Sequence, residues 1–264
     1  MNRPVVKLEE GWAILQTGIT KVINIIEGIP AETAMDAACY MNLYTTAYNM
    51  CNQKPPHHYI TQLYERYEGV YNDYLQSKVL PSIQEKRDNV SMLQELVKRW
   101  ESYKDMVRRL SQPFNFLNRN YVAHKNLPMF KDVGFGCFRK IVGAESKDQV
   151  KDAVISLINQ EREGEEIDQT LLKNVLEIFV DIGNENDAQN MKYYVNDFET
   201  AFLNDTADYY TRKASNWTRE EYAVKAEECL KMEKDRVSHY LHSGTEVKLL
   251  KIVQDVFKTA QTIA

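Results

Sequence analysis

The scarcity of turn-forming residues is the feature that most constrains the fold of this chain. Ten glycines and seven prolines are present among 264 residues, about half of the usual combined share of roughly 12%. All seven prolines lie at or before Pro128, so the sequence beyond it has no proline to break a helix. Sandwiches and barrels need many tight corners, which this composition does not favour. The sequence therefore predicts long helices joined by short polar connections.

Charge and hydrophobicity argue against two classes of partner. The net charge is −5, with 33 Lys and Arg against 38 Asp and Glu, so no overall basic field attracts nucleic acid. No apolar run approaches the roughly 20 residues of a membrane helix, and the polar N-terminus lacks a signal-peptide core. We expect no nucleic-acid or membrane partner, and a location in the cytoplasm and nucleus. The four cysteines are then expected to be reduced and mostly buried.

Apolar residues recur at three- and four-residue steps along nearly the whole chain. The first helix is predicted to end at Gly28, and a fourth helix is predicted over residues 90–103. A shorter helix is predicted to close at Gly143, and a later helix is predicted to end in the charged run Glu161–Gly164. Carboxylate pairs such as Glu165 and Glu166 are predicted to belong to a solvated helix end. About ten helices and no convincing strand result. This count fits an up-and-down bundle or an α-solenoid.

The chain contains few groups with a catalytic spacing. His239 and His242 are three residues apart, but Tyr240 and Leu241 stand between them and no glutamate does. Zinc hydrolases carry histidines four apart with a glutamate between them, plus a third ligand. No phosphate-binding glycine loop or nucleophile elbow is present either. A metal-dependent hydrolase is the weakest of the alternatives, and we expect no enzyme activity, no cofactor and no metal site.

Sixteen tyrosines are a high number for this length. Tyr40, Tyr44 and Tyr48 are four residues apart, so they share one side of a predicted second helix over residues 32–51. Most tyrosines at helical spacing belong to the core, with the hydroxyl at its rim. If this side lies outside the core, the three rings instead form an exposed patch of the kind that marks a partner site.

Three stretches of the sequence resemble the cullins, particularly plant cullins of the SCF class. They are CYMNLYTTAYNMC over residues 39–51, VISLINQEREGEEID over residues 154–168, and FETAFLNDT over residues 198–206, followed by YYTRKA over residues 209–214. Their order and spacing agree with the family from about Trp12 to His242. The resemblance implies an all-α fold, an α-solenoid of about two five-helix cullin repeats. The first repeat would cover residues 1–144 and the second residues 145–264.

The resemblance also implies a non-catalytic scaffold of a cullin-RING ubiquitin ligase. In the family, the first repeat binds an adaptor of BTB-like fold, which carries an F-box substrate receptor. The contact is made by the second and fifth helices of that repeat, and the fifth helix corresponds to about residues 106–125. The adaptor-binding residues implied in this sequence are Tyr40, Met41, Tyr44 and Tyr48 on the second helix, and Phe116 and Asn120 on the fifth.

Two positions depart from the family pattern on the implied binding face. Pro113 stands where cullins carry a helix-compatible apolar residue, and an interior proline costs about 3 kcal/mol and bends the helix. Asn120 replaces a larger aromatic residue or a histidine. The alternative function is therefore that of a decayed cullin-like helical interaction protein that binds no adaptor.

A complete cullin is longer than this sequence. It continues into a third repeat and a C-terminal domain, which recruits the RING protein and carries the lysine modified by the ubiquitin-like protein Nedd8. The present sequence ends near the close of the second repeat, so no RING partner is expected from this segment. We expect either a fragment or a naturally short form, and the short form would compete with full-length cullins for the adaptor.

Overall fold

The computed structural model describes residues 5–30, 35–117, 128–183 and 191–263, and every regular element in these ranges is helical. The predicted all-α class is confirmed. Within the same ranges, none of the helices combines the length and the apolar character that crossing a membrane requires.

The helices described up to residue 117 are α1 (Leu8–Ile26), α2 (Ala37–Asn52), α3 (Ile60–Tyr74), α4 (Leu80–Gln84), α5 (Asn89–Ser111) and α6 (Asn115–Leu117). The following helices are α7 (Phe130–Phe138), α8 (Ala144–Arg162), α9 (Gln169–Asp181), α10 (Lys192–Tyr194), α11 (Thr200–Ala214), α12 (Tyr222–His239) and α13 (Glu246–Ile263). Helix α1 ends as predicted, because Gly28 adopts a φ of 69° that closes the last turn.

Three pairs of helices are joined by π-helical turns, in which the backbone winds more widely without a break. These turns are Leu75–Val79 between α3 and α4, Arg139–Gly143 between α7 and α8, and Val195–Glu199 between α10 and α11. The prediction that Gly143 closes a short helix is therefore wrong. A helical glycine costs only about 1 kcal/mol, and the buried side chains on either side, Val142 and Ser146, keep the helix continuous.

The predicted boundary between the fourth and fifth helices is also wrong. Helix α5 runs without interruption from Asn89 to Ser111. Tyr103, Met106 and Val107 are all buried and continue the same apolar stripe through the expected gap. The helix ends instead at a 3-10 turn, Gln112–Phe114, which contains Pro113.

The described residues fall into two compact units. One consists of those within 1–85 and 98–144, and the other of those within 86–97 and 145–264. The assignment of a first cullin repeat to residues 1–144 and a second to residues 145–264 stays a prediction, because compactness alone does not identify a sequence repeat.

Aromatic rings in contact, some stacked and some edge-on, form much of the core of the first unit. The ring centroids of Phe114 and Phe130 are 4.0 Å apart, and those of Trp100 and Phe138 are 4.6 Å apart. Tyr103 also lies in this core and donates a hydrogen bond of 2.7 Å to the backbone oxygen of Gly134. Most tyrosines of α3 also occupy the core, as their helical spacing predicts. The buried ones are Tyr67, Tyr71 and Tyr74.

Two glycines allow α1 and α2 to pack closely. A β-carbon at Gly11 would overlap the sulfur of Met50, and one at Gly18 would overlap the side chain of Leu43. The two glycines are seven residues apart and therefore lie on the same face of α1. Their missing side chains fix the distance and register at which α2 lies against α1.

The largely apolar core of the second unit also contains a network of buried charges. Arg162 on α8 donates a hydrogen bond of 2.9 Å from Nε to Oε1 of Glu233 on α12. The same oxygen accepts hydrogen bonds from Arg236 at 2.8 Å and from the hydroxyl of Tyr210 at 2.6 Å. Arg162 is 4% exposed and Glu233 is fully buried. Helix α8 thus ends within the charged run Glu161–Gly164, as predicted, but Arg162 of this run lies in the core.

Candidate functional site

Helix α2 has two faces of opposite exposure. It begins at Asp36, whose carboxylate accepts a hydrogen bond of 2.7 Å from the backbone N–H of Cys39 and so caps the first turn. Leu43, Ala47 and Met50 form its buried face. Met41 lies on the exposed side. A surface helix normally carries polar residues on this side, so Met41 is a candidate for binding only together with apolar neighbours.

The exposed face of α2 carries two aromatic rings that meet a third ring from beyond α5. The rings of Tyr44 and Tyr48 stack with their centroids 6.3 Å apart. Phe116 meets Tyr44 edge-on at 5.7 Å and Tyr48 in a tilted arrangement at 5.1 Å. We call these three residues the aromatic patch. Two segments that are distant in sequence therefore present one surface, as the sequence analysis implied for the second and fifth helices.

The members of the patch remain accessible. Tyr48 is 37% exposed, and Tyr44 and Phe116 are half-buried. Tyr40 is half-buried one turn before Tyr44, and Met41 beside it is 55% exposed. The ring contacts stiffen the patch before any partner binds, which reduces the entropy lost on association.

Pro113 supports the patch from the end of α5. It is the second residue of the 3-10 turn Gln112–Phe114, which directly follows the last residue of the helix, Ser111. Because Pro113 lies beyond the helix and not inside it, the expected cost of an interior proline does not arise. Pro113 and Phe114 are buried, and the turn packs against α2, while Phe116 remains at the surface. Asn120 lies outside the described residues.

The end of α2 is anchored by the side chain of Gln53. It accepts a hydrogen bond of 2.6 Å from the N–H of Val6 and donates bonds of 2.9 Å to the backbone oxygens of Val6 and His57. The two bonds to Val6 tie the end of α2 to the segment that precedes α1, and the bond to His57 holds the loop after α2. The sequence held no signal for this role of Gln53, because a glutamine beside a proline-containing loop is common.

The close contact between α1 and α2 did have a signal in the sequence. Gly11 and Gly18 are seven residues apart on an apolar face, and this spacing predicts that another helix packs closely there.

The two histidines singled out in the sequence have other roles here. His242 accepts a hydrogen bond of 3.0 Å at Nδ1 from the N–H of Gly244, and its ring lies 5.6 Å from that of Tyr194. His239 is exposed at the end of α12. Across the part of the chain that the structure describes, no three His, Cys, Asp or Glu side chains come together as metal ligands.

The four cysteines are free thiols, and three of them are buried, as predicted. Burial disfavours the thiolate, so it raises the pKa of Cys51 to about 12 and that of Cys137 to about 11. Neither thiol has the lowered pKa of a nucleophilic cysteine.

Comparison with known proteins agrees with the resemblance read from the sequence. The model of the cullin alpha solenoid domain matches residues 12–263, which confirms the expected α-solenoid. The chain is 55% identical over 257 residues to Cullin-1 of Oryza sativa subsp. japonica, covering 96% of this chain and 34% of that protein.

Two Arabidopsis thaliana relatives are matched over more of their own length. Identity is 48% over 262 residues to putative cullin-like protein 2, covering 97% of this chain and 68% of the relative. It is 41% over 251 residues to cullin-like protein 3, covering 94% of each. The chain thus spans about a third of rice Cullin-1 but nearly all of the shorter relative. A family model that matches almost the entire chain, together with these relatives, shows that the protein belongs to the cullin family.

Proposed function

We propose that this chain is a non-catalytic scaffold segment of an SCF-type cullin-RING ubiquitin ligase. Its aromatic patch, with Tyr40 and Met41, binds an adaptor of BTB-like fold that carries F-box substrate receptors. Family membership supports the scaffold role, and the resemblance of residues 39–51 to the cullin second helix supports the adaptor class. The segment acts in the cytoplasm and nucleus, where the adaptor and its substrate receptors would meet it.

The main support for the proposal is the aromatic patch. Tyr44, Tyr48 and Phe116 come from two segments, contact one another and remain accessible beside the exposed Met41. Tyrosine, phenylalanine and methionine are enriched in the cores of protein interfaces. Rigid aromatic side chains of this kind carry much of the binding free energy when they enter a pocket on a partner.

Calorimetric titration of the purified chain with the adaptor tests the proposal. We expect heat of binding and co-elution, and a loss of more than about 2 kcal/mol of binding free energy in the double variant Tyr40→Ala with Met41→Ala. Met232→Ala is the matched control, because Met232 is exposed on α12, far along the sequence from α2. It should bind like the parent.

The same titration decides between the proposal and its alternative. A folded chain that gives neither heat nor co-elution at tens of micromolar adaptor would instead favour a cullin-like interaction protein without an adaptor. Normal affinity in the folded double variant would show that the contact residues are wrongly assigned. In a mixture with a full-length cullin, the binding-competent chain should displace the cullin from the adaptor as its concentration rises.

A further inference from the structure

Two methionines in the described residues expose a large part of their side chains. Met41 on α2 is 55% exposed and Met232 on α12 is 44% exposed. Met50, Met92 and Met106 are at most 1% exposed. A dissolved oxidant therefore reaches the sulfur of Met41 and of Met232 well before it reaches the sulfurs of the core.

We propose that Met41 is an oxidation-sensitive contact, and that its conversion to methionine sulfoxide by hydrogen peroxide weakens adaptor binding. The inference rests on the proposed function and adds a mode of regulation to the same surface. It rests on two observations: Met41 is exposed, and it lies on α2 about one turn before Tyr44, whose ring belongs to the aromatic patch.

The reaction needs only the thioether and one peroxide molecule. A lone pair of the sulfur attacks one peroxide oxygen, so that an S–O bond forms as the O–O bond breaks. The departing hydroxide takes up the proton of the transferred oxygen and leaves as water. Sulfur is oxidised by two electrons and the peroxide is reduced by two. The product is a polar sulfoxide in place of a flexible apolar side chain.

The free chain tolerates this change because Met41 already faces water. Its sulfoxide oxygen remains hydrated, so α2 keeps its fold. Met50, on the opposite face of the same helix, is fully buried with its sulfur against Gly11 and is shielded from the oxidant. In the complex the sulfoxide would lose water that it holds in the free chain, and removing water from a polar group costs free energy unless the partner supplies a hydrogen bond. The effect of oxidation therefore falls on binding and leaves folding unchanged.

The experiment compares three proteins before and after treatment with hydrogen peroxide: the parent, Met41→Leu and Met232→Leu. Peptide mass spectrometry should show faster oxidation at Met41 and Met232 than at Met50. Adaptor affinity by calorimetry should fall about tenfold or more in the oxidised parent and in oxidised Met232→Leu. Oxidised Met41→Leu should bind like its untreated form, and circular dichroism should be unchanged in all three.

Three other results are possible, and each would contradict a different part of the proposal. If the untreated parent does not bind, the proposed function fails and its regulation fails with it. If the parent binds equally well before and after Met41 is oxidised, only the oxidation proposal fails. If oxidised Met41→Leu also loses affinity, the sensitivity belongs to another group, such as Cys39 two residues earlier, and the assignment to Met41 is wrong.

Discussion

The two compact units of this helical chain have cores of different chemistry. The first is filled by aromatic rings in contact, such as Phe114 with Phe130 at 4.0 Å, and its described residues include no buried charged side chain. The second buries Glu233 together with Arg162 and Arg236, both of which donate hydrogen bonds to its carboxylate. Helices alone therefore do not determine how a core is stabilised.

The two kinds of core should respond differently to substitution and to pH. Ring packing stabilises through area and shape, and it does not change with protonation. A buried ion pair is directional. It adds little net stability when intact but is costly when one partner is removed, because the other charge remains in the interior. The second unit should therefore be the more easily broken by one polar substitution and by acid.

The largest expected effect comes from Glu233→Gln. The substitution keeps the side-chain volume but removes the fully buried carboxylate that pairs with Arg162 and Arg236, whose remaining partners, Asp205 and Glu161, are less buried. We therefore expect a loss of about 3–5 kcal/mol in unfolding free energy. Hydrogen exchange should increase first in α8, α11 and α12, whose side chains form the network. The control Glu227→Gln, at an exposed position of α12, should change stability by less than about 0.5 kcal/mol. Equal losses in the two variants would refute the role assigned to the network.

A pair of identical substitutions compares the two cores directly. Tyr210→Phe removes a hydrogen bond to the Glu233 carboxylate, and Tyr103→Phe removes one to the backbone oxygen of Gly134. Bonds to charged groups contribute about 1.5–3 kcal/mol and neutral ones about 1 kcal/mol. Denaturant unfolding should therefore show the greater loss for Tyr210→Phe. A greater loss for Tyr103→Phe would reverse the comparison.

A steric prediction follows for the first unit. Gly18→Ala places a methyl group against Leu43, so we expect a loss of about 1–3 kcal/mol and a displaced α2. Gly69→Ala is the matched control, since nothing lies within 4 Å of its would-be β-carbon in α3, and it should gain about 0.5–1 kcal/mol. Thermal unfolding measures both. If Gly18→Ala is as stable as the parent, the close contact does not set the position of α2.

The sequence was sufficient for the helical class and for one face of the candidate site. Tyr44 and Tyr48 share a face because they are one turn apart, and that regularity needs no tertiary information. The end of α5 was not predicted. Tyr103, Met106 and Val107 extend the apolar stripe beyond the expected boundary, and the helix ends just before Pro113, which was expected to bend a helix.

Long-range polar contacts were not predictable either. Arg162 and Glu233 are 71 residues apart, and each stands in a charged stretch that is normally solvated. Only the packing of α8 against the other helices of its unit buries both. The contact of Phe116 with the rings of α2 is similar in origin. It depends on the 3-10 turn at Pro113, whose local effect was expected to be a bent helix.

The smallest expected effect concerns Glu161 and the way in which the unfolding free energy depends on pH. Glu161 accepts hydrogen bonds from Gln169 at 2.6 Å and from Tyr240 and Arg236, each at 2.7 Å. Burial alone would raise its pKa, but these donors outweigh burial and hold the pKa below the ordinary value. A carboxyl group with a lowered folded-state pKa stabilises the fold above its unfolded pKa, about 4.3, and this stabilisation is lost as the pH falls through the folded value.

Glu161→Gln removes that dependence. At pH 7 the variant should lose about 1 kcal/mol, since its amide oxygen still accepts weaker, uncharged hydrogen bonds. Between pH 7 and pH 3 its unfolding free energy should fall less steeply than that of the parent, with the two curves converging as the pH falls through the folded-state pKa of Glu161. Parallel curves for Glu161→Gln and the parent would mean that Glu161 is not linked to folding.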